Sequence, residues 1–103
     1  MSLTLENEVD LIPAPERFAV QAGGREVGLT RTQFRLVALL VSEPGRVFSR
    51  AELVEQAIDS VVEERTVDAH IKEVRRKLGP LAGRIDTVRC RGYRYLPVSP
   101  TVL

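Results

Sequence analysis

The side chains with the clearest chemical use in this sequence are lysines and arginines near its C-terminal end. Residues 65–95 carry nine Lys or Arg against three Asp or Glu, whereas residues 1–64 carry six against eleven. The formal net charge of +1 therefore conceals an acidic half and a basic half. Clustered positive side chains are what a protein needs to neutralise the phosphates of a nucleic acid. The basic half is accordingly the expected location of the function.

The stretch 65–78 predicts an amphipathic helix. Four apolar residues recur in it at helical spacing and form one stripe about 60° wide, which we expect to face the core: Val67, Ile71, Val74 and Leu78. The opposite face carries Arg65, Ala69, Lys72 and Arg76. The short side chain of Ala69 would let the backbone approach the bases in a major groove. Taken alone, such a basic face is more often ordinary solvated surface.

A second basic element follows this helix, and the two together favour contact with DNA over an ordinary solvated surface. Gly79 and Pro80 end the helix, and residues 87–95 predict a β-hairpin rich in arginine, with its turn at 90–92. The predicted order is a helix, a short connection, a basic helix and a basic hairpin. Helix-turn-helix proteins place their second helix in the major groove in this way. The two basic elements suggest one probe for each groove of double-stranded DNA.

The N-terminal part of the chain supplies the scaffold for these probes. Gly23-Gly24, between 18–22 and 25–29, predicts a tight β-hairpin. Thr30 and Gln33 have the spacing of a capping box, and the apolar run 34–41 after them predicts a helix buried on most sides. This helix is expected at the centre of the core.

A further helix is predicted between this one and the basic helix. Pro44-Gly45 ends the first helix, and residues 46–48 predict a short extended segment. Ser49 and Glu52 form a second capping box ahead of a helix that ends near Ile58. Residues 59–64 then make a short connection to the basic helix.

Composition excludes several other classes of function. The chain has one cysteine, Cys90, and one histidine, His70, so we expect no metal, no cofactor and no disulfide within the chain. No apolar run approaches the roughly 20 residues of a membrane span, and an acidic N-terminus is unlike a secretory signal, which predicts a cytoplasmic protein. No set of nucleophile, base and orienting residue is available, so we do not expect an enzyme.

Five segments together carry a family resemblance. In this order and spacing the chain resembles the winged-helix DNA-binding domain of the OmpR/PhoB family of bacterial response regulators, over residues 16–97. The segments are 29–34, 44–53, 65–71, 75–78, and 87–89 with 92–94. The resemblance implies an α+β fold with a four-stranded N-terminal antiparallel sheet, three helices and a C-terminal β-hairpin wing. Residues 1–15 would be a leader or linker and 98–103 a tail, and an N-terminal receiver domain would belong to the complete regulator.

The resemblance also implies roles for single residues. Arg65, Lys72 and Arg75 match positions that contact phosphates, as do Thr87 and Tyr93 in the wing. Arg89 matches the wing arginine that enters a narrow minor groove. With the exposed helix face, the full set of candidate DNA-binding residues is Arg65, Thr66, Ala69, Lys72, Glu73, Arg75, Arg76, Thr87, Arg89, Arg91 and Tyr93.

Two positions depart from the family pattern. Glu73 stands where an arginine commonly contacts a base. Its carboxylate could repel phosphate, accept a hydrogen bond from cytosine N4, or hold a neighbouring cation. We favour the last role because Arg76 and Lys77 follow it by three and four residues. In the wing, Cys90-Arg91 stands where the family often has glycine and a small residue, so the usual turn geometry is in doubt. Beside these departures, Asp68 faces sideways on the helix, and we expect it to pair with Arg89 or Arg91.

These features together predict sequence-specific binding of double-stranded DNA and transcription regulation. Helix 65–78 would occupy the major groove and wing 85–96 the minor groove. The resemblance suggests paired binding on direct repeats and contact with RNA polymerase through loop 58–64. The alternative is a winged-helix module that binds a protein and not DNA, which would require an exposed apolar patch and dispensable arginines.

Overall fold

A computed structural model of the chain describes residues 10–58 and 65–97, with the side chain of Arg65 excepted. Two layers are built around one core, an antiparallel sheet and three helices, and a β-hairpin follows at the C-terminal end. The α+β winged-helix architecture expected from the sequence is confirmed. The elements are β1 (Leu11–Ala14), β2 (Ala19–Ala22), β3 (Arg25–Gly28), α1 (Arg31–Ser42), α2 (Arg50–Ala57), α3 (Arg65–Leu78), β4 (Ile85–Val88) and β5 (Gly92–Tyr95), with 3-10 turns at Pro15–Arg17 and Gly79–Arg84.

The N-terminal sheet has the order β1-β2-β3, with both pairs antiparallel. Gly23 and Gly24 have φ of 62° and 84°, the left-handed conformations that a tight hairpin turn needs and that glycine adopts without strain. The predicted hairpin is confirmed. The described residues form three of the four strands that the resemblance implied, and residues 1–9 lie outside the description. β1 falls within the segment 1–15 that was expected to be a leader, so the folded part includes Leu11–Ala14.

Both predicted capping boxes are present. The Thr30 hydroxyl accepts from the Gln33 amide at 3.1 Å while Gln33 Oε1 accepts from the Thr30 amide at 3.1 Å. Ser49 and Glu52 make the same reciprocal pair, at 3.1 and 2.9 Å. Each box satisfies backbone donors that a helix start otherwise leaves without partners. These caps set where α1 and α2 begin.

The core lies between the three helices and is closed by the wing. The predicted stripe of α3 is buried completely, since Val67, Ile71, Val74 and Leu78 are each 0 % exposed. They pack in one cluster with apolar residues of α1 and α2 and with Tyr93 and Tyr95 of β5. Burial of such side chains contributes roughly 1.5–3 kcal/mol apiece. α3 is therefore held with one face inward and its basic face outward.

The segment before α2 pairs with β5. The Phe48 amide donates to Tyr93 O at 2.8 Å and the Tyr93 amide donates to Phe48 O at 3.0 Å, while the Gly45 amide donates to Tyr95 O at 2.8 Å. The extended segment predicted at 46–48 is confirmed at this bridge. These backbone hydrogen bonds attach the wing to the rest of the domain. The predicted connection 59–64 lies outside the described residues. No helix in the described ranges combines the length and apolar character required to cross a membrane.

Candidate nucleic-acid interface

The outward face of α3 is basic and accessible. Ala69, Lys72 and Arg76 are exposed, whereas Thr66 and Glu73 are partly buried at the sides of this face. The small Ala69 lies one turn before Lys72 on this exposed face, as the sequence predicted. The backbone of α3 can therefore approach a surface closely while longer side chains reach past it.

Glu73 and Arg76 form an ion pair on this face. Arg76 Nε donates to Glu73 Oε1 at 2.8 Å, and Nη2 donates to the same oxygen. The hydrogen bonds from Arg76 lower the pKa of the Glu73 carboxyl, and the same contact raises the pKa of Arg76. Lys77 points elsewhere and donates to Gln33 Oε1 at 2.7 Å. The favoured interpretation of Glu73, that it holds a neighbouring cation, is confirmed with Arg76 as the partner.

Asp68 joins α3 to both α2 and the wing. Its Oδ1 accepts from Arg50 Nε at 2.7 Å and from the hydroxyl of Tyr93. Burial alone would raise the pKa of Asp68, but the hydrogen bonds from Tyr93 and Arg50 outweigh it and leave the pKa below its usual value. The expected pairing of Asp68 with Arg89 or Arg91 is wrong, because those arginines are at the exposed tip of the hairpin whereas Tyr93 is buried beside α3.

Arg75 makes a second connection between α3 and the wing. Its Nε and Nη2 donate to Ile85 O at 3.0 and 2.7 Å, and Nη2 also donates to Thr87 Oγ1 at 2.6 Å. The guanidinium carbons of Arg75 and Arg50 are 5.5 and 5.4 Å from the centre of the Tyr93 ring, within the range of a cation–π contact. Arg75 and Tyr93, both expected to contact phosphate, thus make their bonds inside the protein, and their contact with DNA stays a prediction.

The wing tip retains a tight turn despite its unusual residues. Cys90 has φ of 63°, and the Arg91 amide donates to Val88 O at 2.9 Å, which closes the turn. Cys90 therefore takes the left-handed conformation for which glycine is usually chosen. Arg89 and Arg91 flank it and are exposed. Lower in the hairpin, Arg94 and Asp86 pair at 2.8 Å.

Sequence reasoning missed two arginines that hold α3 from its two ends. Arg50, at the start of α2, bonds Asp68 near the first turn of α3. Arg25 in β3 donates to Leu78 O at 2.9 Å and so satisfies a carbonyl at the C-terminus of α3, where a cation also complements the helix dipole. Their partners lie 18 and 53 residues away in sequence. No local spacing signals such contacts.

The other chemical groups of the described residues do not gather into a second site. Within 10–58 and 65–97, no group of three or more His, Cys, Asp or Glu side chains is arranged to hold a metal. A surface depression of about 440 Å³ is lined by Arg75 and by residues of the turn after α3 and of β4. It adjoins the junction of α3 and the wing, so it belongs to the same basic region.

Comparison with known proteins gives matches along most of the chain. Residues 24–95 match the family described as transcriptional regulatory protein, C terminal. The transcriptional regulatory protein BaeR of Escherichia coli is 41% identical over 93 residues, which is 85% of this chain and 39% of BaeR. The chain spans about two fifths of the length of the curated relatives it matches.

Solved structures match in fold as well as in sequence. The DNA-binding domain of CpxR from Escherichia coli superposes with a TM-score of 0.74 at 31% identity, covering 95% of this chain and all of that one. The DNA-binding domain of RstA from Klebsiella pneumoniae, solved in complex with the RstA box, gives a TM-score of 0.71 at 29% identity and covers 84% of this chain and 91% of that one. With its sheet, its three helices and its wing, the chain belongs to the family of OmpR/PhoB-type C-terminal domains of transcriptional regulatory proteins.

Proposed function

We propose that this chain binds double-stranded DNA at specific sequences and regulates transcription, with α3 in the major groove and the hairpin wing at the adjacent minor groove. One observation carries the proposal. Lys72 on α3 and Arg89 and Arg91 on the wing tip are exposed, and none of them forms an ion pair with another described residue. Cations left unpaired on two neighbouring elements are available to replace the counterions of DNA phosphates. The RstA domain, a structural relative, was solved bound to its DNA box.

Different residues have different parts in the proposed complex. Arg65, Thr66 and Lys72 contact phosphates from α3, and Thr87 does so from the wing, while Ala69 lies against the bases. Arg89 enters the minor groove, where a narrow A·T-rich segment attracts a guanidinium. Arg91 adds charge beside it. Arg75 and Tyr93 act from within the domain by holding the wing to α3, in addition to any phosphate contact they make.

The proposal extends to the complete regulator. Because the chain spans only part of its relatives, we propose that it is the effector domain of a two-component response regulator, with a phosphorylatable receiver domain N-terminal to it in the cytoplasm. Two copies would bind head to tail on direct repeats. Loop 58–64 would be the contact with RNA polymerase. The proposed role is binding and not catalysis.

The decisive experiment measures binding of the 103-residue chain to duplex DNA over a series of salt concentrations. The wild type, Arg89→Ala and Arg17→Ala are compared on a pool of genomic duplex fragments and on fragments recovered from it by binding. The logarithm of the association constant should fall by about 0.9 per phosphate neutralised for each log unit of salt. Arg89→Ala should lose both affinity and discrimination between fragments, since it removes the minor-groove contact.

Arg17→Ala is the matched control for this experiment. Arg17 is also an exposed arginine, but it lies in the turn between β1 and β2 and pairs with Glu26 at 2.7 Å. Its removal changes the net charge equally and should leave site discrimination intact. Absence of duplex binding at low salt would refute the proposed function, and equal losses in both variants would mean that only the total charge matters.

A further inference from the structure

The ion pair of Glu73 and Arg76 lies on the face of α3 that the proposed function directs at the bases. We propose that these two residues determine which base pair α3 selects, with Arg76 recognising guanine and Glu73 fixing the direction in which Arg76 points. The inference rests on the proposed DNA binding and deepens it by naming the base. It concerns the position at which this chain departs from the pattern of the family it resembles.

The geometry of the guanidinium supports guanine as the target. A guanidinium has a side edge, formed by Nε and Nη2, and an end edge, formed by Nη1 and Nη2. In Arg76 the side edge is held by Glu73 Oε1 through both of its nitrogens. The end edge uses one N–H of Nη1 and the second N–H of Nη2, and neither of these two donors bonds a described residue. Two parallel N–H donors at the end of a side chain match O6 and N7 of guanine in the major groove.

Adenine does not offer the same match. It presents N7 as an acceptor but an amino group where guanine has O6, so one of the two donors of Arg76 would face another donor. Thymine and cytosine offer no such pair of acceptors. A fixed arginine at this place therefore distinguishes guanine from each of the other bases.

Glu73 supplies the fixation that this discrimination needs. An arginine without a partner can swing to the nearest phosphate, where it adds affinity but carries no sequence information. The Arg76 side chain is 68 % exposed and that of Glu73 is 42 % exposed, so packing alone does not hold the arginine. The carboxylate holds its side edge and also repels phosphate. Glu73 Oε2, with no hydrogen bond from a described residue, remains an acceptor for a cytosine amino group on a neighbouring pair.

The test begins with selection of bound sites from a pool of random duplexes by the 103-residue chain. The recovered sequences should contain guanine at one fixed position, and replacing that G·C pair by A·T should weaken wild-type binding by about tenfold or more. In Arg76→Ala that discrimination should disappear. In Glu73→Ala it should shrink to about threefold or less, while binding to unselected duplex becomes tighter because a carboxylate has been removed from beside the phosphates.

Two further variants separate this role from a general effect of charge or folding. Glu73→Gln keeps an oxygen that can accept from Arg76 Nε and should retain most of the guanine preference. Glu43→Ala removes a carboxylate from another exposed pair of the same spacing, Glu43 with Arg46 at 2.7 Å, away from α3. It should leave both base preference and binding to unselected duplex unchanged. Thermal unfolding of all four variants should match the wild type, since the three side chains that they alter are at the surface.

The outcomes distinguish this inference from the proposed function. If the wild type binds no duplex, the proposed function itself fails. If the wild type selects sites but its base preferences survive in Arg76→Ala, or are as sharp in Glu73→Ala as in the wild type, the role of the pair is refuted while DNA binding stands.

Discussion

Arg75 Nη2 donates to Thr87 Oγ1 at 2.6 Å, so a cation of α3 is bonded to the first strand of the wing. Asp68, seven residues earlier and hence on the same side of α3, accepts from the Tyr93 hydroxyl in the second strand. The two strands of the hairpin are therefore each attached to α3 by a side chain. If the chain binds DNA as proposed, this double attachment fixes the wing arginines relative to α3 before binding, which reduces the ordering cost of binding.

Arg75→Lys distinguishes attachment of the wing from a simple phosphate contact. Lysine keeps the charge but lacks the planar fork that serves Ile85 O and Thr87 Oγ1 together. We expect affinity for a selected duplex to fall by about three- to tenfold, with an unchanged slope of affinity against salt. If Arg75 acts mainly on a phosphate, Arg75→Lys should bind like the wild type, and Arg75→Ala should reduce the slope by about 0.9.

The two tyrosines of β5 allow a matched test of the Asp68 contact. The Tyr93 hydroxyl bonds Asp68 on α3, whereas the Tyr95 hydroxyl bonds Asp10 at 2.8 Å and the Leu11 amide at 3.1 Å, in and beside β1. Each change to phenylalanine removes one hydroxyl and should lower the free energy of unfolding by about 1 kcal/mol in urea titrations. Only Tyr93→Phe should also weaken duplex binding, by about threefold. Equal binding losses in the two variants would contradict a specific role for the attachment to α3.

Gly92 is expected to be indispensable to the contact between the wing and the segment before α2. It has φ of +142°, and a Cβ atom there would lie 1.9 Å from Phe48 O. Gly92→Ala should lower the free energy of unfolding by about 3 kcal/mol or more, because the Phe48–Tyr93 bridge must separate or the backbone must strain. Gly83→Ala is the control, since its Cβ would meet nothing within 4 Å, and it should change stability by less than about 1 kcal/mol. Similar urea midpoints for the two variants would refute the steric argument.

The elements of this fold were predictable from sequence wherever their signals are local. The Thr30 and Ser49 caps, the Gly23-Gly24 turn and the apolar stripe of α3 depend on residues a few positions apart, and each is found as expected. β1 was missed because a strand of four residues with Pro13 inside it has no clear alternation. The predicted partner of Asp68 was wrong because the position of the hairpin base against α3 decides which side chain reaches it. That side chain is Tyr93, 25 residues away in sequence, and packing of the folded chain brings the two together.

The candidate site was predictable to a different extent. Charge and periodicity identified the exposed face of α3 and the wing arginines, and the spacing of three residues indicated the Glu73–Arg76 pair. The supporting contacts were not predictable in this way. Arg50 and Arg25 hold the two ends of α3 through contacts that exist only after the chain has folded, so no spacing within the sequence points to them.

Ionisation of tyrosine offers a test of the hairpin base that requires no mutation. Burial raises the pKa of both tyrosines, that of Tyr95 to about 12, and the contact with Asp68 raises that of Tyr93 further. A pKa raised in the folded state means that the stabilisation is complete below the unfolded pKa of about 10 and is lost as the pH rises through the folded pKa. The chain has two tyrosines, so tyrosinate absorbance at pH 10 should be small in the native protein and about half-maximal in urea. Substantial tyrosinate absorbance at pH 10 while the far-ultraviolet circular dichroism remains native would contradict the burial of the two hydroxyls.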